Sequence, residues 1–167
     1  MRRERGFTII ELMVTIIVLA ILLSMAIPSF QSMIERRRLI AVAESVYSDL
    51  QFARSEAVKR SENMRVTIDP ANGSDWCLEV VEDESEASIV RTCGDPELNI
   101  EMVNDLFSVT FGGVRGVPLD NVIPPAIEFA SPSSLQLRVL IAPYIGRIRM
   151  CSPLIQGVGK LSGYPSC

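Results

Sequence analysis

The chain contains no histidine among its 167 residues, and this absence restricts the chemistry that it can perform. Histidine is the most common general acid or base near neutral pH and a common metal ligand. The sequence also lacks a glycine-rich phosphate loop after a strand, a serine nucleophile motif and a Cys-x-x-Cys pair. We therefore expect no catalytic activity, no cofactor and no metal site.

Charge is distributed unevenly along the chain, although the formal net charge of -4 alone argues against a nucleic-acid binder. Eleven acidic residues and one base, Arg91, lie between Asp69 and Asp105. From residue 131 to residue 167 there is no acidic residue, and the four bases are Arg138, Arg147, Arg149 and Lys160. Segments of opposite sign indicate either surfaces for different partners or two solvated faces.

The four cysteines are Cys77, Cys93, Cys151 and Cys167, and none has zinc-ligand spacing. An even number favours disulfides in an oxidising compartment such as the periplasm, with buried free thiols as the alternative. Of the three possible pairings we favour Cys77–Cys93 with Cys151–Cys167, because each pair encloses a short loop that is polar or contains Gly and Pro. A disulfide closing such a loop contributes about 3 kcal/mol in the chain-entropy model.

The N-terminus combines a short basic segment, M-R-R-E-R-G, with an apolar run from Phe7 to Ile27 that contains one charge, Glu11. As a helix this run spans about 30 Å, the thickness of a bilayer core, and the preceding arginines favour a cytoplasmic N-terminus. A secretory signal cleaved after Ala26 is the alternative, but the run is long for a signal core. A charge at the centre of a membrane helix costs about 2.5–3.5 kcal/mol, so Glu11 needs a partner.

The segment G-F-T-I-I-E-L-M-V, from Gly6 to Val14, resembles the prepilin motif of type IV pilins and type II secretion pseudopilins. The resemblance implies that a prepilin peptidase cleaves between Gly6 and Phe7 and methylates the new amino group of Phe7. It also implies that Glu11 pairs with the terminal amine of a neighbouring subunit, which is the partner that a carboxylate in a low-dielectric layer needs. Pro28 is expected to kink the helix at the membrane exit or to allow local melting in a filament.

Beyond Pro28 the sequence predicts a continued helix followed by strands. One apolar stripe recurs at steps of four and three: Leu39, Ala43, Val46, Leu50, Ala53 and Ala57. After Asn63 the period changes to two, and strands are predicted at 64–68, 76–81, 89–92, 107–111, 127–129, 135–141 and 145–151. The acidic stretch 82–86 is predicted to be a mobile loop. A long helix before antiparallel strands predicts an α+β fold.

The segment A-R-S-E-A-V-K-R at 53–60 is similar to the end of the first helix in the GspH/FimT group of minor pilins and pseudopilins. With the leader motif, the Trp76 strand and the C-terminal cysteines, this resemblance covers most of the chain. It implies a type IV pilin-like fold: a leader at 1–6, a membrane-spanning or filament-core helix at 7–28, an amphipathic helical half at 29–62 and a β-rich domain at 63–167. It further implies a single pass through the bacterial inner membrane, a periplasmic globular domain and assembly with other pilin or pseudopilin subunits.

The C-terminal segment contains the motif Gly146-Arg147-Ile148-Arg149. On a strand the two arginines point to one face about 7 Å apart, which matches successive phosphates along a DNA strand, and Gly146 permits close backbone approach. Lys160 lies inside the loop that a Cys151–Cys167 bond closes.

This motif resembles the one assigned to DNA binding in FimT-type pilins of naturally transformable bacteria. The resemblance implies that Gly146, Arg147, Arg149 and Lys160 bind double-stranded DNA through its phosphates, without sequence preference. Two alternatives remain open: a structural minor pilin that primes filament assembly without binding DNA, and the H-type pseudopilin of a type II secretion system.

Overall fold

The computed structural model describes residues 7–69, 74–119, 126–154 and 161–167. Within these residues it contains one long helix, a single 3-10 turn (Pro96–Leu98) and eight strands. The helix is α1 (Ile9–Arg60); the strands are β1 (Met64–Asp69), β2 (Cys77–Glu82), β3 (Ser88–Cys93), β4 (Glu101–Met102), β5 (Phe107–Phe111), β6 (Ile127–Ala130), β7 (Gln136–Ile141) and β8 (Ile148–Cys151). The predicted α+β class is confirmed.

The chain divides into two compact units, Met1–Glu35 and Arg36–Cys167. In the first unit, Thr8 caps α1: its hydroxyl accepts a hydrogen bond from the Glu11 N–H (3.3 Å), and its carbonyl accepts one from the Leu12 N–H (3.2 Å). Glu11 therefore lies in the first turn, where the helix dipole favours a carboxylate. The side chains from 7 to 27 are exposed, and α1 contains an 18-residue window of mean hydropathy 2.7, long and apolar enough to cross a membrane.

In the second unit, one face of α1 joins two antiparallel sheets in a common core. All six residues of the predicted apolar stripe are completely buried, which confirms the helical period. The first sheet has the strand order β3-β2-β1-β5 and the second has the order β4-β6-β7-β8. Trp76, which precedes β2, packs against Phe129 of β6 with ring centroids 5.3 Å apart, so this aromatic contact is part of the core that the two sheets share.

Three tight turns share one backbone geometry: 82–87 between β2 and β3, 112–117 after β5, and 142–147 between β7 and β8. In each turn the N–H of the first residue donates to the C=O of the sixth, and the N–H of the fifth donates to the C=O of the first. The fifth residue is Glu86, Gly116 or Gly146, with φ of 53°, 61° and 60°. This left-handed conformation favours glycine, which only two of the three turns have.

These turns correct two predictions. The strand predicted over 145–151 begins at Ile148, because Gly146 closes a turn that includes Ile145 and Arg147. The acidic stretch 82–86, predicted as a mobile loop, is part of the tight turn between β2 and β3. The remaining predicted strands agree with the structure to within one residue at each end.

Two disulfides join Cys77 to Cys93 and Cys151 to Cys167, the two pairs that the sequence favours. The first links opposite positions of β2 and β3. The second holds the C-terminus beside β8, where the Ser152 N–H donates to the Pro165 carbonyl (2.8 Å) and the Cys167 N–H donates to the Ser152 carbonyl (3.2 Å). The C-terminal residues thus cover one end of the outer edge of the second sheet.

Candidate nucleic-acid interface

The two motif arginines lie at the start of β8, the edge strand of the second sheet. Arg147 precedes the strand and Arg149 lies within it; both are exposed, whereas Ile148 between them is 4% exposed. The Ala142 N–H donates to the Arg147 carbonyl (2.8 Å), so the alternation of the antiparallel ladder continues back to Arg147. The predicted common face of the two arginines therefore holds, although only Arg149 is in a strand.

The same alternation exposes backbone groups at the sheet edge. Since Arg147 and Arg149 direct their backbone polar groups toward β7, those of Ile148 and Met150 point away from it. Ser152, two residues further, follows this rule, because its N–H and C=O bond the C-terminal residues. Among the described residues, the outer edge of β8 therefore has backbone partners at Ser152 and none at Ile148 and Met150.

An open cleft of about 520 Å³ lies along this edge. Its lining combines α1, β8 and the C-terminal residues: Tyr47, Gln51, Arg147, Ile148, Arg149, Met150 and Tyr164. The Gln51 amide donates to the Tyr47 hydroxyl (3.1 Å), which orders the helical wall. Tyr47 and Gln51 were not predicted, because only the packing of α1 beside β8 brings them to the arginines.

The basic residues of the C-terminal segment differ in their partners. The Arg138 guanidinium pairs with the Glu128 carboxylate at 3.0 Å, so its charge is compensated within the protein. Neither Arg147 nor Arg149 forms an ion pair with the residues that the structure describes. Lys160 lies outside the described residues, and its predicted contribution stays a prediction. The structure thus leaves two uncompensated guanidiniums on one exposed surface.

Gly146 is buried, and its close backbone approach is to another part of the protein. A Cβ atom built on Gly146 would lie 2.5 Å from the Gly116 carbonyl oxygen and 3.2 Å from the Val117 Cα. Arg54 of α1 secures this contact, because its guanidinium donates to the carbonyls of Gly116 (2.9 Å) and Ile145 (3.3 Å). Gly146 and Arg54 therefore fix the position of Arg147.

The acidic side chain of Glu44 contacts the wall of the cleft. The Tyr164 hydroxyl donates to the Glu44 carboxylate (3.3 Å), and the pKa of Tyr164 is raised by burial first and by the charge of Glu44 second. Other carboxyl groups interact at the junction of α1 with the β2–β3 turn. There a hydrogen bond with the Glu82 carboxylate raises the pKa of Glu62, and the same hydrogen bond lowers the pKa of Glu82. The carboxylates of Glu62 and Glu82 thus lie at the turn between β2 and β3, whereas Arg147 belongs to the turn between β7 and β8.

The N-terminal site residues are only partly described. Phe7 is 77% exposed and Glu11 is exposed in the first turn of α1, whereas Gly6 lies outside the described residues. The run of exposed apolar side chains that follows is far larger than the apolar patches of ordinary soluble proteins. It requires a lipid or protein environment. Among the described residues, no group of three or more His, Cys, Asp or Glu side chains could hold a metal ion.

Comparison with known families places this site in context. Residues 1–27 match the family model of the prokaryotic N-terminal methylation motif. Residues 42–143 match the model described as type II transport protein GspH. A methylation motif followed by such a domain defines the pilin-like subunits, the minor pilins and pseudopilins. The second match spans more than half of the chain, and the chain belongs to the GspH family.

Among solved structures, the chain is similar to the type IV minor pilin FimU of Pseudomonas aeruginosa PAO1. The TM-score is 0.49 at 22% sequence identity, and the similarity covers 67% of this chain and 91% of the FimU chain. No curated protein matches the chain. Membership of the GspH/FimT group, expected from the sequence, is confirmed by the two family models.

Proposed function

We propose that this chain is a minor pilin of a type IV pilus that binds double-stranded DNA for uptake in natural transformation. The observation that supports it most is the pair of exposed, uncompensated guanidiniums of Arg147 and Arg149 beside an open sheet edge. Arginine suits this role because its planar fork binds phosphate oxygens in two places. The N–H group of half-buried Met150, which has no outward backbone partner among the described residues, adds a neutral donor of the kind that often contacts phosphates.

The N-terminus supports an inference about the processing and the cellular location of the protein. A prepilin peptidase removes residues 1–6 and methylates the amine of Phe7, which pairs with Glu11 of a neighbouring subunit. The apolar part of α1 lies in the inner membrane and then in the filament core, and the β-rich domain is periplasmic. Support comes from the methylation motif and from the exposed apolar surface between 7 and 27. The two disulfides suit an oxidising compartment.

Binding through phosphates has a characteristic salt dependence. Each phosphate contact contributes about -0.9 to the slope of log K against log salt concentration, so two arginine contacts give about -1.8. These two contacts alone should lower the affinity about 12-fold between about 50 and 200 mM salt. The affinity itself should lie in the range of about 10⁻⁴ to 10⁻⁶ M that is typical of binding without sequence preference.

A binding titration tests the proposal. The full chain, in micelles of a non-ionic detergent, is titrated against a labelled duplex of mixed sequence at several salt concentrations. We expect the Arg147→Gln, Arg149→Gln double variant to lose binding. Arg91→Gln is the matched control, because Arg91 is exposed on β3 in the other sheet and forms no ion pair with the described residues. The proposal fails if the native chain does not bind DNA at low salt, or if the double variant binds as the control does.

The description of the matched family favours a second function, a pseudopilin of a type II secretion system. In that case the arginines serve subunit contacts or are merely solvated. Deletion of the gene would abolish protein secretion, and the double arginine variant would bind DNA no more weakly than the native chain. Neighbouring genes for other minor pilins, or for a secretion ATPase and secretin, discriminate between the two functions.

A further inference from the structure

A second turn lies against the one that carries the DNA-binding motif. The Gly116 carbonyl oxygen would be 2.5 Å from a Cβ on Gly146, so the backbones of turns 112–117 and 142–147 touch. The Arg54 guanidinium bonds a carbonyl in each turn and fixes their relative position. The two turns therefore form one surface, although 30 residues separate them in sequence.

This second turn carries one charged residue, Arg115. It is exposed and forms no ion pair within the described part of the chain. The sequence from Leu106 to Leu119 contains no acidic residue, and neither does the sequence from 131 to 167. Arg115 thus adds a third positive charge to the surface that carries Arg147 and Arg149. Its own segment, Leu106 to Leu119, contains no carboxylate to compensate it. By contrast, the third turn of the same geometry, 82–87, is strongly acidic.

The distance between these arginines suits one nucleic-acid backbone. Arg115 and Arg147 are each adjacent to one of the touching glycines, and consecutive Cα atoms are about 3.8 Å apart, which limits their Cα separation to about 14 Å. That distance covers a few nucleotides at the rise of about 3.4 Å per strand position, and the flexible arginine side chains can adjust to the phosphates. Arg149 lies two residues beyond Arg147 on the same surface.

We propose that Arg115 binds a DNA phosphate, so that the interface extends from β8 across both turns. This inference rests on the proposed function and adds a residue outside the C-terminal segment. The partner is the phosphate backbone of duplex DNA. Arg54 is a positioning residue, since its guanidinium is bonded to the protein.

The test uses the same titration with three single variants of the full chain. We expect Arg115→Gln to reduce the salt slope by about one, because one phosphate contact is lost. Between about 50 and 200 mM salt, the factor by which its affinity falls should therefore be about three times smaller than the factor for the native chain. Arg115→Lys should restore the native slope, since it keeps the charge. Arg91→Gln should match the native chain, which separates a local contact from the change in net charge.

The outcomes distinguish this inference from the function on which it rests. If Arg115→Gln keeps the native slope while the double variant at Arg147 and Arg149 loses binding, the inference is wrong and the proposed function stands. If Arg91→Gln lowers the slope as much as Arg115→Gln, the effect is one of net charge and the inference is also wrong. If the native chain does not bind the duplex, both are overturned. Rescue by lysine excludes misfolding as the cause of the loss.

Discussion

Substitution of Gly146 by alanine is expected to destabilise the second unit strongly. Gly146 has a φ of 60°, and an L-residue in that left-handed conformation costs about 1–2 kcal/mol. The new Cβ would lie 2.5 Å from the Gly116 carbonyl oxygen, which is backbone and cannot rotate away. Overpacking of this kind adds about 1–3 kcal/mol. The expected loss of unfolding free energy is therefore about 2–5 kcal/mol.

Gly116→Ala is the matched control. Gly116 has almost the same φ, 61°, but its Cβ would meet side chains: the Val58 Cγ2 at 2.9 Å and the Arg54 Cγ at 3.1 Å. Val58 is 46% exposed, so its methyl group can move aside, and the Arg54 Cγ needs to shift by only a few tenths of an ångström. The control should therefore lose little beyond the backbone cost of about 1–2 kcal/mol.

The assay is urea unfolding of the full chain in detergent micelles, followed by the fluorescence of the single tryptophan. Trp76 is 2% exposed and contacts Phe129, so its emission reports on both sheets. The reasoning is refuted if Gly146→Ala is no more destabilising than Gly116→Ala. That result would show that the contact between the two turns is not tight, and it would weaken the case for a common surface.

Three further predictions concern the other turns and the C-terminus. Glu86→Gly should stabilise the protein by up to about 1 kcal/mol, because relief of the left-handed strain at φ 53°, about 1–2 kcal/mol, exceeds the entropy of about 0.4–1 kcal/mol that glycine adds to the unfolded chain. Glu62→Gln should raise the melting temperature at pH 7. Hydrogen bonding to Glu82 raises the pKa of Glu62 above 4.5, so the native protein gains stability as the pH falls through the raised pKa, and the advantage of the variant should shrink there. Replacement of Cys151 and Cys167 by alanine should cost about 3 kcal/mol and weaken DNA binding, because the C-terminal wall of the cleft is released.

Each of these predictions has a control. Glu84→Gly removes the same charge from the same turn at a residue with ordinary φ, and it should not stabilise. For Glu62→Gln, an advantage of equal size at pH 7 and at a pH just below 4.5 would contradict the coupling to Glu82. Removal of the Cys77–Cys93 bond should cost similar stability but leave DNA binding intact, since that bond lies in the other sheet. Equal loss of binding in both disulfide variants would mean that stability alone governs binding.

The sequence predicted those features that depend on short-range periodicity. The apolar stripe from Leu39 to Ala57 was recognisable because a helix that covers a core repeats every three or four residues. Most strands were located to within a residue by their alternation. Strand β4, only Glu101–Met102, escaped prediction because two residues show no period. The start of β8 was misplaced because apolar Ile145 continues the β-like pattern into the turn.

The candidate site required contacts between distant residues, which no local pattern contains. Arg54 bonds carbonyls 62 and 91 residues away, and Tyr47 and Gln51 reach the cleft from α1. Arg115 carries no motif of its own. It becomes relevant only because the turn that contains it packs against Gly146, so its position relative to Arg147 is a property of the tertiary structure.

The spacing within the Gly-Arg-x-Arg motif follows from hairpin geometry. The turn needs a left-handed residue at its fifth position, and glycine meets that need at Gly146. The sixth residue, Arg147, then accepts the closing hydrogen bond from Ala142 and resumes the ladder. Because side chains alternate along a strand, Arg149 must share the exposed side of Arg147, and Ile148 must enter the core. A one-residue insertion between Gly146 and Arg149 would therefore bury one charge or expose Ile148, so folding and the proposed DNA binding depend on the same register.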